Sequence, residues 1–386
     1  MTQNIIFTRY LYLKDEVKIS LLTSLIDKNE GCIFWAYELY YSGFENELFD
    51  LLWKIYFNFY YTLNPSFQQY FIKKHKEWKK MSELGAVDKD RIVSNIVNNL
   101  LIRPYNLDMF MLKQQHGLIH IAKEEKEENC DLQTMLNMKK YAHIAEYILH
   151  QCDADDLYDA FDDILDHFIG KNIPLDKDKI IKQLKISVDF VDNISIRVLI
   201  LSNVMLYYSI QSKLTMGKKL YIIVDPNDII VYETIVADKT VTARNILPIA
   251  CLYEIDENNY LSLFQLERDE TNIQESYYNH WEYYASFSPI WLDRIQKYNG
   301  NINHTSKKID FIDDDNLEAF YDEFGYDPGE QKCETQNKCI KDIKNVRTWQ
   351  SFYETHKKNG LYIPTFSNGN TSVHFAHIRV PVARLR

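Results

Sequence analysis

Three groups of residues have the types that chemistry needs. Asp225, Asp228 and Glu233 fall on two strand-like runs, LYIIVDPNDIIVYETIVAD, with Lys239 beyond them. Carboxylates gathered at a hairpin can hold a divalent cation and activate a water, as metal-dependent nucleases do. The Asp/Glu-x-Lys element of such sites is missing, and Asp225-Pro226-Asn227-Asp228 is a turn-forming quartet in its own right. His143, Glu146 and His150 share a face of one expected helix, and Asp159, Asp163 and His167 share a face of the next, a spacing that could ring a bundle metal. Apolar residues occupy the opposite faces, Tyr141, Ile144, Ala145 and Ile148 on the first and Leu157, Phe161, Ile164, Leu165 and Phe168 on the second. The charged faces therefore read as solvated. Cys333 and Cys339, with His356 downstream, are spaced more widely than structural zinc pairs and read as reduced thiols. No metal and no cofactor is expected.

Nucleotide and nucleophile motifs are absent from the sequence. The glycines form neither GxGxxG nor GxxxxGK[ST], TMGKKL being only a fragment of the latter, and there is no GxSxG elbow. What stands out instead is aromatic density, in FWAYELYYSGFENELFDLLWKIYFNFYYTLNP (34–65) and YYNHWEYYASFSPIW (277–291). Such rings either pack a core or offer flat faces to a partner. Packing is the favoured expectation; the candidate partner-binding residues are Trp35, Tyr40, Tyr41, Trp281, Tyr284 and Trp291.

The elements that would position these residues are mostly helical. Asp15 can cap a first helix; a second runs from about 30 to 42 and stops at Gly43; a third carries Leu48, Leu51, Leu52, Ile55, Phe59 and Leu63 at spacings of three and four until Asn64-Pro65. Pro65 can open a fourth, Asp88 a fifth, and a shorter one ends at Gly117. After the charged link AKEEKEENCD, helices are expected at 134–152, 155–168, 176–186 and 194–214, the last apolar nearly all round and so central. Strand-like runs then form a small antiparallel meander, followed by helices at 274–286 and 289–298 and an acidic one closed by Gly325. Asn368-Gly369 between apolar runs signals a C-terminal hairpin. The expected class is α+β, mostly α: an N-terminal array of antiparallel helical hairpins (1–122), a second helical segment (134–214) and an α+β domain (215–386). Chains of 386 residues usually divide in this way.

A net charge of -11 argues against direct duplex DNA binding, which depends on Lys and Arg neutralising phosphates. No stretch reads as a membrane helix. Six scattered cysteines and an N-terminus without a signal-peptide pattern point to a reducing compartment.

The blocks RYLYLKDEVKISLLTSLI, FWAYELYYSGFENELFDLLWKIYFNFYYTLNPSF, NILPIACLYEI and HWEYYASFSPIW resemble those of uncharacterised proteins of giant nucleocytoplasmic DNA viruses of the mimivirus type. Abundant Ile, Asn, Lys and Tyr, the composition of an AT-rich coding sequence, is compatible with that source. The resemblance implies a viral protein acting in the host cytoplasm, in the viral factory or the cytosol, and transfers no catalytic residue. The expected function is a non-catalytic scaffold or adaptor in viral gene expression, by analogy with helical translation-initiation scaffolds. Its partners would be viral or host proteins, with RNA reached through a partner. The alternatives are a virion or assembly protein, and a metal-dependent hydrolase or nuclease at residues 225–239.

Overall fold

The computed structural model describes residues 5–110, 112–113, 131–211 and 273–324, together with the strand segments 253–254, 347–348, 362–367 and 370–375. Within them the chain is mostly helical, with strands only in short pairs. The expected meander, over residues 220–268, falls almost wholly outside the described residues.

Five helices come first: α1 (Lys14–Ile26), α2 (Cys32–Tyr41), α3 (Glu45–Ile55), α4 (Phe67–Glu83) and α5 (Arg91–Ile102). In α3, Glu45 and Glu47 lie in the first turn and Lys54 in the last, the arrangement that complements the helix dipole. Asp15 lies inside the first turn of α1 rather than capping it; its carboxylate accepts from the Glu16 amide at 2.8 Å. Gly43 holds φ at +89°, and a Cβ there would come 2.5 Å from the Pro289 Cβ. A left-handed turn and a close approach therefore both require glycine at this stop.

α3 does not end at Ile55. It widens into a π-helix over Tyr56–Tyr60, in which the Tyr61 amide donates to the Tyr56 carbonyl at 2.8 Å. Further along, α6 (Leu132–Met138) and α7 (Tyr141–Glu146) replace the single helix expected at 134–152, because Lys139 turns left-handed at φ 53°. α7 also widens, over Tyr147–Gln151. Then come α8 (Leu157–Gly170), α9 (Lys177–Ser187) and the central α10 (Asn193–Gln211).

The few polar residues of α10 explain how the π-helices are tolerated. Widening strands backbone carbonyls that must find donors when buried. Ser202 Oγ shares its proton between the Val198 carbonyl of its own helix at 2.7 Å and the Phe57 carbonyl at 3.0 Å, and Arg197 Nη1 donates to the Ile148 and Cys152 carbonyls at 2.6 and 2.8 Å. Asn203 Oδ1 accepts from the Tyr61 and Tyr207 hydroxyls at 2.8 and 3.0 Å.

A second core is built by α11 (Ile273–Ala285), α12 (Pro289–Lys297) and α13 (Asp314–Phe324), around Trp281, Trp291, Ile295 and Phe320. Ile5, Phe7, Leu11 and Leu13 complete it from the other end of the chain. The Phe7 amide reaches the Tyr284 carbonyl at 3.4 Å, and Trp291 Nε1 donates to the Thr8 carbonyl at 3.0 Å. Ser288 precedes α12 as expected, but its hydroxyl donates backwards to the Ala285 carbonyl at 3.0 Å instead of capping the helix.

The strands are β1 (Tyr253–Glu254), β2 (Asn301–Asn303), β3 (Lys308–Asp310), β4 (Arg347–Thr348), β5 (Tyr362–Ser367) and β6 (Asn370–Phe375). β1 and β4 pair in parallel; β2 pairs antiparallel with β3, and β5 with β6. In the last pair Ser367 faces Asn370; Asn368-Gly369, where the turn was expected, lies outside the described residues.

Candidate functional site

The six aromatic candidates do not form a partner-facing surface. Trp35, Tyr40, Trp281, Tyr284 and Trp291 are buried, none more than 6% exposed, and Tyr41 is half-buried. Each is tied into a core. Trp35 meets Tyr12 edge-on at 5.3 Å, Trp281 meets Trp291 at 5.3 Å, and Trp78 Nε1 donates to the Tyr40 hydroxyl at 3.2 Å. The Tyr41 hydroxyl donates to Asp90 Oδ2 at 2.5 Å. Burial pushes the Tyr40 hydroxyl up to about 12, so it stays protonated. Tyrosine can enter a core when its hydroxyl finds such a partner, and here the partners come from distant helices.

The paired-helix metal reading also changes. Asp159, Asp163 and His150 are exposed and His143 is half-buried, but Glu146 and His167 turn inward. Gln151 Nε2 reaches back across the π-helix to Glu146 Oε1 at 3.4 Å, and Gln133 Nε2 lies 3.1 Å from His167 Nδ1. Among the described residues no three His, Cys, Asp or Glu side chains converge as a metal site. Residues 225–239, Cys333, Cys339 and His356 lie outside the described residues.

One deeply placed ionisable group controls a pH response. Trp53 Nε1 donates to His75 Nδ1 at 3.1 Å, and the His75 ring stacks on Phe49 at 4.2 Å. Nδ1 as acceptor means a neutral ring with its proton on Nε2. Burial, helped by Lys79, pushes the imidazole down to about 3. Below the ordinary value of 6.5 the unfolded chain then binds a proton that the folded chain refuses. Stability from this residue is therefore full above that pH, falls by about 1.4 kcal/mol per pH unit between it and about 3, and falls no further below that. H75N keeps an acceptor for Trp53 but does not titrate there. Urea unfolding between neutral pH and mild acid should show a shallower pH slope for H75N by about that amount; identical slopes would contradict the assignment.

The most distinctive surface lies where α4 meets α9. α4 buries Phe67, Phe71, Ile72, His75 and Trp78, which leaves Lys73, Lys76 and Lys80 outside. α9 buries Leu184 and Ser187, which leaves Lys182 and Lys185 outside. The helices are joined by Gln68 Nε2 donating to Ser187 Oγ at 2.9 Å and Lys79 Nζ donating to the Asp189 carbonyl at 3.3 Å. Along α9 runs a shallow groove of about 350 Å³, lined by Asp178, Ile181, Lys182, Lys185, Ile186 and Asp189. Lys73, Lys76, Lys80, Lys182 and Lys185 have no carboxylate partner among the described residues, whereas Lys14, Lys18, Lys74 and Lys177 each have one. Such a surface can hold anionic groups over an isoleucine floor. The lysines are visible in FIKKHKEWKKMSE, but their lack of partners is a tertiary property.

No helix among the described residues is long and apolar enough to cross a membrane. Comparison with known proteins adds no relative: no protein family, curated protein or solved structure matches the chain.

Proposed function

We propose that this chain is a non-catalytic interaction scaffold that engages its partner through the lysine face of α4 and α9. The observation that carries this reading is the set of five lysines without a carboxylate partner, Lys76 lying over the Phe190 ring, beside an open groove floored by isoleucine, on a chain of net charge -11. Asp178 and Asp189 line the groove beside Lys182 and Lys185 but form no ion pair with them, so the ammonium groups remain available to an outside anion. The successive helices between residues 14 and 102 supply the rigid body on which this face is mounted. The resemblance to giant-virus proteins suggests the setting, cytoplasmic viral gene expression, with viral or host proteins as partners and RNA carried by one of them.

Affinity purification from producing cells tests both parts. Wild type and K182E/K185E, exposed substitutions that leave the core intact, are compared with and without ribonuclease. A stoichiometric protein held by wild type and lost on charge reversal is the expected result. No partner with either protein, an untagged second copy of the chain counting as one, or equal recovery by both, overturns the reading.

A further inference from the structure

The lysine face has a counterpart on the same molecule. Asp155 and Asp156, just before α8, and Asp159 and Asp163 within it are exposed, and among them Tyr158 is 38% exposed. α9 connects the two surfaces. At its start Lys177 Nζ bonds Asp162 and Asp166 of α8 at 2.7 and 2.6 Å; at its end lie Ser187 and Asp189, held by α4. The start of α9 is thus tied to Asp162 and Asp166, with the exposed aspartates of residues 155–163 lying toward the start of α8, while Lys182 and Lys185 lie toward the other end of a helix about 16 Å long, beside Asp189. Opposite charges placed side by side in this way are self-complementary: a two-fold axis crossing α9 near its middle sets each acidic end against the other copy's basic end, twice.

Resting on the reading of the lysine face as an interaction surface, we propose that its occupant is a second copy of this chain. Tyr158 of each copy enters the Ile181/Ile186 groove of the other, and Asp155 and Asp159 meet Lys182 and Lys185. The groove's 350 Å³ has room for a phenol ring, and an aromatic anchor in an apolar depression with a charged rim is the usual form of an interface hot spot. The copies repel through their net charge of -11, but at physiological salt the Debye length of about 8 Å confines that repulsion and leaves the local pairs to decide.

Sedimentation velocity of the full chain, over a wide range of concentration, tests the pairing. A dimer is expected at about 0.15 M salt and a monomer at about 1 M, where the screening length drops to about 3 Å. Y158A should weaken dimerisation at least about tenfold. K182E/K185E and D155K/D159K should each be monomeric, and their equimolar mixture should form a heterodimer, because both contacts are restored with their signs exchanged. That recovery also shows that the variants are folded. A wild type that stays monomeric at every concentration and salt, or a mixture that stays monomeric, overturns self-pairing. If the purification above still yields a partner lost with K182E/K185E, the interaction reading survives with a different occupant; if it yields none, both fall.

Discussion

W53A is expected to cost about 4 kcal/mol of folding stability, within the range for removing a large aromatic from a packed interior. Trp53 is fully buried. Its indole stacks on Phe71 with ring centres 3.7 Å apart and planes within 7°, and on Phe57 at 5.3 Å. It also donates its only N–H to His75. Alanine opens a cavity between α3 and α4 and strips the donor from a buried histidine, so transfer, cavity and hydrogen-bond losses act together. W53F separates them: it keeps most of the stacking and loses the N–H, and should cost about 2 kcal/mol. Urea unfolding, followed by the loss of helical circular dichroism, measures both. A W53A loss below about 1 kcal/mol would mean that α3 and α4 are not packed through this indole.

The stripe of α3 was legible because Leu48, Leu52 and Ile55 recur at helical spacing, and all three are buried. The stop at Gly43 was legible because few residues adopt that backbone easily, and the pairing of β5 with β6 because Asn368-Gly369 lies between two apolar runs. The π-helices were not. Moving from an i+4 to an i+5 bond leaves the apolar pattern nearly unchanged, and the carbonyls it releases are satisfied by Ser202 and Arg197, far along the chain. The break at Lys139 was hidden because a lysine, not a glycine, occupies the left-handed position. β2 and β3 escaped notice because only Ile302 and Ile309, which face each other, mark them as apolar. The inward turn of the aromatic candidates had the same cause as the missed lysine face. Whether a tyrosine is buried or a lysine left unpaired depends on what another helix brings to it, such as Asp90 for Tyr41 or no carboxylate at all for Lys182.

That dependence on tertiary partners is sharpest at Arg9 and Glu38, where E38Q should lower stability by about 3 to 5 kcal/mol. Arg9 Nη2 lies 3.4 Å from Glu38 Oε2, and both side chains are almost completely buried. The guanidinium also sits 4.2 Å from the Tyr10 ring centre and 5.0 Å from that of Tyr41, while its Nε and Nη1 are buried with no hydrogen-bond acceptor. Glu38 Oε1 accepts from the Tyr10 amide at 2.9 Å, and the Arg9 amide donates to Ser42 Oγ at 2.8 Å, so the pair anchors the N-terminal segment on α2. The same segment completes the second core through Phe7 and Leu11. Glutamine preserves shape and the acceptor for Tyr10 but leaves the guanidinium uncompensated away from water. R9M leaves the carboxylate uncompensated and should cost a similar amount. If the two charges matter chiefly to each other, R9M/E38Q should lose only about 1 to 2 kcal/mol, because no stranded charge remains and the rings still enclose an apolar side chain. A double-mutant cycle by urea unfolding gives the coupling directly, with at least about 2 kcal/mol expected. Additive losses would show instead that the tyrosine rings alone hold the Arg9 cation, and that Glu38 serves only as the acceptor for the Tyr10 amide.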